Sequence, residues 1–335
     1  MRLSSLPRFP LAHLPTPLEE APNLSRAIGG PTILIKRDDL TGLALGGNKT
    51  RKLEYLVADA RQQGVTVLIT AGSTDSNHCR QTAAAARVAG MRCVLVQNET
   101  QPNPPAQGNY LLDLLLGADI RFVESEAARP AIMEQVAAEL REEGETPYII
   151  PGGGSNAVGA SAYVAAVYEI VEQLVQLERM ATRLYVTSSS SAGTHAGLAL
   201  GAKLANAPFD VIGISVEEST SNTKSIIEPL ANDTAYYLET GVRISQDELI
   251  VDDRFVGPGY AIPTPECFDA IVLAARTEGL LLDPVYTGKT LAGLISHARS
   301  GEIGPDETVI FLHTGGTPTL FAQADLITER ARRQH

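Results

Sequence analysis

The chain has no tryptophan, few aromatic residues (5%) and only three cysteines among its 335 residues. The cysteines, Cys79, Cys93 and Cys267, are far apart and odd in number, which fits neither a disulfide framework nor a Cys-x-x-Cys metal site. Cys93 lies in the apolar run MRCVLV and is expected to be a small buried hydrophobic residue. The sequence therefore predicts no metal site.

Excess positive charge is also lacking. The formal net charge is −12, and the only basic stretch is the tail ERARRQH, which we interpret as a solvated helix end. This balance argues against nucleic-acid binding. No apolar run approaches the ~20 residues that span a bilayer, and prolines interrupt the opening stretch MRLSSLPRFPLAHLPTP where a signal peptide needs an apolar helix. We expect a cytoplasmic protein that does not contact membranes.

What the chain does contain is enough apolar sequence, 44%, for two lobes with a substantial core. Short β-branched runs, typical of strands buried on both faces, alternate with helical patterns from residue 50 onward. The runs are VTVLITAG (65–72), MRCVLVQ (91–97), IRFVES (120–125), PYIIPGGG (147–154), RLYVTSSSS (183–191), DVIGISV (210–216), LLLDPVYTG (280–288) and TVIFLHTGG (308–316).

The helical patterns between these runs show apolar faces of period 3.6. One face comprises Leu53, Leu56, Val57 and Ala60, and another comprises Val164, Val167, Ile170 and Val171. Together, the strands and helices predict an α/β fold with mostly parallel sheets. No internal repeat or low-complexity linker marks a boundary between lobes.

Five predicted strands end in polar or glycine-rich turns, namely AGSTDSNH, PGGGSNAVG, TSSSSAGTHAG, DPVYTGK and HTGGTP. In open α/β sheets ligands bind beyond the carboxyl ends of strands, where helix N-termini present free N–H groups. We therefore expect one site that is built from many segments.

Two of the polar segments suggest an anion and an aldehyde as ligands. TSSSSAGTHAG (187–197) is either a phosphate cradle or a tight strand-to-helix turn with capping serines, and it matches neither the Walker A nor the GxGxxG pattern. Lys49 follows two glycines and an asparagine in GGNKTRK. It is either an ordinary exposed lysine or an amine that forms a Schiff base with an aldehyde.

The remaining segments also allow two interpretations. Ser76, Asn77 and His78 either cap a helix or form a pocket for a carboxylate. Tyr260 in GPGYAIP and Tyr286 in DPVYTGK are either core and rim residues or partners of a ligand ring.

The motifs taken together occur in the order found in one family. They are GGNKTRK, SNH (76–78), PGGGSNAVGA (151–160), SAGTHAG (191–197), PGY (258–260), LDPVYTGK (282–289) and HTGG (313–316). From KRDDLTGLALGGNK to HTGG, the chain resembles the D-cysteine desulfhydrase and 1-aminocyclopropane-1-carboxylate (ACC) deaminase family of fold-type-II enzymes, which use pyridoxal 5′-phosphate (PLP).

The resemblance implies two open, twisted, mostly parallel sheets flanked by helices. It implies a large PLP-binding domain of residues 1–48 and 162–335, and a small domain of residues 49–161, with the active site in the cleft between them. A homodimer that acts on a small amino acid is also expected.

Residue roles on the substrate side follow from the same resemblance. Lys49 would hold PLP covalently and later move protons at the substrate α-carbon. Ser76, with adjacent amides, would bind the substrate carboxylate, and Asn77, His78 and Asp75 belong to the same substrate-binding segment. Tyr260 and Tyr286 would flank the substrate and complete the catalytic set.

Roles on the cofactor side are also implied by the resemblance. Asn77 would hydrogen-bond the 3′-oxygen of PLP. The phosphate would bind to Ser191, Ala192, Gly193 and Thr194. Thr314, with Thr287 as a second candidate, would face the pyridine nitrogen. A hydroxyl there cannot keep the nitrogen protonated as a carboxylate could, so electron density left near the α-carbon can expel a leaving group from the β-carbon.

The hydroxyls also distinguish the branches of the family. ACC deaminases carry Glu at the position of Thr287 and Leu at that of Thr314, which favours the desulfhydrase branch for this chain. We therefore expect β-elimination from D-cysteine, with L-cysteate and then ACC as alternative substrates. A colourless two-lobed amino-acid-binding protein, a PLP-dependent synthase and a racemase are further alternatives.

Two positions depart from the family pattern. Asp75 replaces the usual Gln before SNH, and Ser190 replaces a Gly in the serine-rich turn. A carboxylate at 75 would repel the substrate carboxylate unless it turns away, is protonated or meets a cation. The first departure bears on the substrate, and the second is expected to preserve the phosphate site.

Overall fold

A computed structural model describes residues 1–99 and 104–333, which form ten strands and twelve α-helices. The strands are β1 (Leu18–Glu20), β2 (Thr32–Lys36), β3 (Val67–Ser73), β4 (Arg92–Asn98), β5 (Asp119–Phe122), β6 (Pro147–Ile149), β7 (Arg183–Ser188), β8 (Asp210–Ser215), β9 (Ile250–Asp252) and β10 (Thr308–Leu312). The helices are α1 (Pro22–Ile28), α2 (Asn48–Gln62), α3 (Asn77–Ala89), α4 (Gly108–Leu115), α5 (Arg129–Glu142), α6 (Ala157–Gln176), α7 (Gly193–Ala205), α8 (Thr220–Tyr237), α9 (Pro265–Glu278), α10 (Thr287–Ser300), α11 (Thr317–Ala322) and α12 (Ala324–Arg333).

The strands form two sheets. The larger has the order β1-β2-β10-β7-β8-β9, and the smaller has the order β5-β4-β3-β6. All neighbouring strands run parallel except β1, which is antiparallel to β2. Helices cover both faces, so a central strand such as β3 is buried along its whole length. The predicted fold class, with its two mostly parallel sheets, is confirmed.

The predicted apolar helix faces lie in the core. Leu53, Leu56, Val57 and Ala60 of α2 are fully buried, and in α6 only Val171 of the predicted face is partly exposed. By length and composition, α6 is the one helix in the described part of the chain that could cross a membrane. More than half of its most apolar window (56%) is nevertheless buried within the fold, which is typical of a core helix.

Several predicted strand boundaries were wrong. Residues 280–288 were predicted to form a strand, but they pair with no strand in the described chain, and α10 begins at Thr287. The reason is local, because the buried Asp283 carboxylate accepts hydrogen bonds from the backbone N–H groups of Val285, Tyr286 and Thr287. This folds the chain into a helix start.

Other strands are shorter than predicted, or were missed. β6 ends at Ile149 and β7 ends at Ser188, because the glycine- and serine-rich residues that follow form turns. The short strands β1, β2 and β9 were not predicted. The basic tail forms the end of α12, and its last two residues lie outside the described part of the chain.

The four strands of the smaller sheet all lie within residues 49–161, and the six of the larger sheet lie outside that range. The division into two domains at these boundaries stays a prediction.

All three cysteines are free thiols in the interior, as expected for Cys93. Burial raises the pKa of Cys79 and Cys267 to about 12 and raises the pKa of Cys93 as well.

Candidate active site

A cavity of about 940 Å³, its open mouth included, lies between the two sheets at the carboxyl ends of β3, β6, β7 and β10. The turns after these four strands line it, together with the start of α2 and with Tyr286, which precedes α10. The structure thus brings together all five polar segments. The fifth, DPVYTGK, follows no strand but still contributes to the lining.

Lys49 is the second residue of α2 and lines the cavity, where its side chain keeps some exposure. Gly47 precedes the helix at φ 127°, and a Cβ there would lie 2.6 Å from Nε2 of Gln81. Burial lowers the pKa of Lys49 to about 8. The amine is therefore partly neutral near neutral pH, as a lysine that attacks an aldehyde must be.

Lys52, which the sequence interpretation missed, lies one turn further along α2 and is fully buried. Its ammonium donates to the carbonyl of Gly153 (3.1 Å) and to Oγ of Ser155 (3.4 Å). Burial, and then the neighbouring charge of Lys49, lower its pKa well below the ordinary value. The i, i+3 spacing in GGNKTRK places both lysines on one helix face and could have revealed it.

The serine-rich turn after β7 leads into α7, with Ala192 in the left-handed region at φ 50°. A Cβ on Gly193 would lie 2.5 Å from Oγ of Ser155 and 3.0 Å from Nζ of Lys52. Glycine is therefore required, and the ammonium of Lys52 lies beside the N-terminus of α7. The helix dipole and the free N–H groups suit an anion such as a phosphate, and the negative charge of a bound phosphate would favour the protonated form of Lys52.

The other residues predicted to bind phosphate lie in the same turn. Ser191, Ala192, Gly193 and Thr194 all line the cavity. The hydroxyl of Thr194 accepts a hydrogen bond from Nδ2 of Asn48 at 3.1 Å, which links the turn to the start of α2.

Ser76, Asn77 and His78 also line the cavity. Ser76 caps α3, because its hydroxyl accepts from the backbone N–H of Cys79 at 3.2 Å. His78 Nε2 lies 2.8 Å from the Thr70 hydroxyl, which itself donates to the carbonyl of Ile150. The imidazole therefore carries its proton on Nε2. Burial lowers the pKa of His78 well below its usual range, so the ring is neutral at pH 7.

Tyr260 and Tyr286 form one wall of the cavity, with their hydroxyls hydrogen-bonded and their ring centroids 6.1 Å apart. Burial raises the pKa of both phenols, so both are protonated at neutral pH. The buried ammonium of Lys289 donates to the carbonyls of Val256 (2.7 Å) and Gly259 (3.0 Å) and thereby anchors the Tyr260 loop to α10.

Two predicted site residues lie elsewhere. Thr314 lines the cavity, but Thr287 does not; its buried hydroxyl donates to Oδ1 of Asp283 at 2.6 Å. Asp75 is also absent from the lining among the described residues, and its carbonyl accepts from Nδ2 of Asn109 at 2.7 Å. Of these three residues, only Thr314 therefore lines the cavity.

Charged residues at the rim were not predicted, because isolated charges in a sequence usually mark solvated surface. Glu126, Arg129 and Glu217 line the cavity. The Arg129 guanidinium donates to Oε1 of Glu126 and to Oδ1 of Asn98, both at 2.8 Å. Glu217 accepts from the backbone N–H of Ser190 at 3.0 Å, so a carboxylate lies directly beside the serine-rich turn.

Lys52→Met is expected to weaken PLP binding by about 10- to 100-fold, because one charge-assisted hydrogen bond contributes about 1.5–3 kcal/mol. Equilibrium dialysis, with absorbance as the measure of bound PLP, would test this. Lys203→Met is the control, since Lys203 is an exposed lysine paired with Glu248. Equal affinities in the two variants would contradict a phosphate-binding role for Lys52.

Comparison with known proteins gives the family. A sequence model of the pyridoxal-phosphate dependent enzymes matches residues 10–315. A D-cysteine desulfhydrase of Salmonella typhi is 42% identical over 324 residues, which cover 96% of this chain and 97% of the relative. A crystal structure of an ACC deaminase homologue superposes with a TM-score of 0.90 at 37% identity, over 98% of this chain and 97% of that one.

More distant structures show the same fold. A threonine deaminase from the organism abbreviated T.th. gives a TM-score of 0.62 at 18% identity, covering 90% of this chain and 92% of its own. A PLP-dependent aspartate racemase gives 0.64 at 17% identity, covering 90% of each chain. These two relatives bear on the fold alone.

The residues of the cavity fit PLP, because an amine of lowered pKa and an anion cradle line the same space. No group of three or more potential metal ligands occurs in the described residues. The chain belongs to the pyridoxal-phosphate dependent enzymes, in the family of the D-cysteine desulfhydrases and ACC deaminases, and is a PLP-dependent lyase or deaminase.

Proposed function

We propose that the protein eliminates hydrogen sulfide from D-cysteine and releases pyruvate and ammonia. The observation that carries the proposal is Thr314, a residue of the cavity lining at the position where the resemblance implies leucine in ACC deaminases. The desulfhydrase that is 42% identical supports the same substrate. Asp75 replaces the usual Gln of the family and was the argument against D-cysteine, but it does not line the cavity.

The chemistry divides among few residues. When bound, PLP delocalises the electrons that remain after the α-proton leaves. Lys49 has a pKa of about 8, so its amine can remove the α-proton. Ser76, at the N-terminus of α3, holds the substrate carboxylate with the N–H groups of that helix end.

Bond breaking then follows at the β-carbon. The electron pair of the α-C–H bond forms the new C=C bond, and the C–S pair leaves with sulfur as hydrosulfide. The phenols of Tyr260 and Tyr286 are protonated at neutral pH and lie in the wall, where they can donate to the departing sulfur. Water then hydrolyses the released enamine to pyruvate and ammonia.

L-Cysteate is the second candidate, and Arg129 is the observation in its favour. A guanidinium in the lining would attract a sulfonate. Its ion pair with Glu126, and the presence of Glu217 in the same lining, reduce that attraction and place L-cysteate second. ACC ranks third, because this chain has Thr287 and Thr314 at the positions where the resemblance implies Glu and Leu in ACC deaminases.

The test is a keto-acid assay on purified, PLP-loaded protein with D- and L-cysteine, L-cysteate, D- and L-serine, diaminopropionate and ACC. Pyruvate and sulfide in equal amounts from D-cysteine are expected, with the largest kcat/KM of the set. Sulfite from L-cysteate at a higher kcat/KM would select the second candidate. 2-Oxobutyrate from ACC as the main product would overturn elimination. Keto acid that appears only with a second substrate would indicate a synthase.

Three further properties belong to this proposal. We propose the two-domain division, the homodimer and the cytoplasmic location on the strength of the family resemblance and the composition. Size measurement in solution and cell fractionation would test the last two.

A further inference from the structure

We propose that Arg80 is a positioning residue that fixes the loop before Lys49 relative to Asn77, so that the amine and the amide meet the cofactor in one geometry. The proposal rests on the cofactor-binding roles of Lys49 and Asn77. It assigns a role to the RQ pair that directly follows SNHC in the sequence.

Arg80 is fully buried in the first turns of α3, and its contacts reach two segments of the site. Nη1 donates to the carbonyl of Ala44 at 2.7 Å, and Nη2 donates to the carbonyl of Gly46 at 3.1 Å. Nη2 also lies 3.4 Å from Oδ1 of Asn77. A single planar group thus bridges the Lys49 loop and the Asn77 amide.

The loop before Lys49 needs such a restraint. Four successive residues, 44–47, have positive φ (44°, 72°, 67° and 127°), and Ala44 and Leu45 among them carry side chains. L-residues disfavour this conformation, so it persists only when surrounding contacts hold it. The two carbonyls that Arg80 binds belong to this stretch.

Gln81, the next residue of α3, fixes the backbone directly after Lys49. Oε1 of Gln81 accepts hydrogen bonds from the backbone N–H and the hydroxyl of Thr50, both at 2.8 Å. This caps the N-terminus of α2 from a neighbouring helix. Lys49 therefore lies between two segments that α3 fixes, Ala44 to Gly46 on one side and Thr50 on the other.

The amide of Asn77 is oriented by two donors. Its Oδ1 accepts from Nδ2 of Asn109 at 3.0 Å in addition to the contact with Arg80. With the oxygen engaged inside the protein, Nδ2 remains as the group that Asn77, a residue of the lining, can present to the cavity. An amide N–H donor is what the 3′-oxygen of PLP requires.

At the loop, the partners of the Arg80 guanidinium are backbone carbonyls, not carboxylates. Asp113 is the carboxylate whose charge reaches it, and burial of Asp113 raises that carboxyl's pKa to about 7. What Arg80 contributes at the loop is therefore the orientation of its partners rather than net charge attraction.

The test uses Arg80→Met, which removes the fork and keeps an apolar stem. The visible band of the Lys49-bound cofactor should shift, and the midpoint of its pH titration should rise. The reason is that loss of a well-placed Asn77 donor makes the 3′-oxygen a stronger proton acceptor. kcat should fall about 100-fold with little change in KM, as expected when bound groups are misaligned.

Two arginines serve as controls. Arg87→Met changes an exposed arginine of the same helix that donates to the carbonyl of Leu116, and it should leave both band and midpoint unchanged. Arg51→Met removes a buried arginine that binds Asp38 and Glu169, and should lower stability without moving the band of the folded protein. If the spectral shift came from a general loss of packing, both Arg80→Met and Arg51→Met would show it.

An unchanged band, midpoint and kcat in Arg80→Met would overturn the proposal. Should this variant fail to fold, Arg80→Lys decides. It keeps a buried charge but cannot bridge both loop carbonyls and Asn77, so the same spectral shift is expected, and a wild-type band would refute the role. Because the spectrum is read without substrate, the result stands apart from any failure of D-cysteine to react.

Discussion

Lys49→Ala is expected to lower kcat for elimination by at least about 1,000-fold and to abolish the visible absorption of the PLP-loaded protein. General acid–base catalysis alone contributes about 10²–10⁴-fold, and this variant also loses the covalent bond to the cofactor. The prediction follows from one amine of lowered pKa that lies in the cavity beside an anion cradle.

Borohydride trapping followed by peptide mapping measures the bond directly. The wild-type protein should carry reduced cofactor on Lys49, and Lys203→Ala should do the same, since Lys203 is exposed and paired with Glu248. Trapping of PLP added to cofactor-free protein should accelerate as pH rises towards about 8, because the neutral amine is the nucleophile. Cofactor bound to a different lysine would overturn the proposed site.

Arg51→Ala is expected to lower the free energy of unfolding by about 3–5 kcal/mol, the usual cost of removing one partner from a buried ion pair. Its guanidinium donates to both Asp38 oxygens at 2.9 Å and to both Glu169 oxygens at 2.7 and 2.9 Å. Asp38 is fully buried, so the variant leaves a carboxylate without its cation. Denaturant titration of cofactor-loaded protein measures the loss.

Arg179→Ala provides the matched control, because Arg179 forms an exposed pair with Glu20 and should cost only about 0.2–1 kcal/mol. Similar losses in the two variants would contradict the importance of the buried network.

Acid sensitivity gives a second readout. Burial opposes ionisation of Glu169, but Arg51 and Lys36 outweigh it and lower its pKa to about 2. This contribution to stability is complete above the unfolded pKa of about 4.3 and is lost as pH falls towards 2. Arg51→Ala should reduce that loss.

Much of this architecture could be predicted from the sequence, because buried parallel strands are near-continuous apolar runs bounded by turns. β3, β4, β7, β8 and β10 were predicted with small boundary errors. The run at 280–288 misled the prediction, since apolar composition does not reveal that Asp283 will accept three backbone N–H bonds and start a helix. At this position, local hydrogen bonds rather than the periodicity of apolar residues determine the backbone conformation.

The site was predictable where several motifs had to converge at strand ends, as with Lys49, Asn77 and the serine-rich turn. It was not predictable where the direction of one side chain matters. Thr287 and Thr314 both occur in plausible motifs, but only the structure shows that the Thr287 hydroxyl binds Asp283. The rim residues Arg129 and Glu217 come from segments with no motif, so only the fold brings them to the cavity.

The buried thiols bear on how such a protein tolerates its own reaction. Cys79 and Cys267, with pKa values of about 12, are ionised in only roughly one molecule in 10⁵ at pH 7, and none of the three cysteines is exposed. Polysulfides, which form when sulfide is oxidised, are attacked by accessible thiolates and convert them into persulfides. Under the proposed elimination, the buried thiols would thus escape persulfidation, and maleimide should label the folded chain only after denaturation.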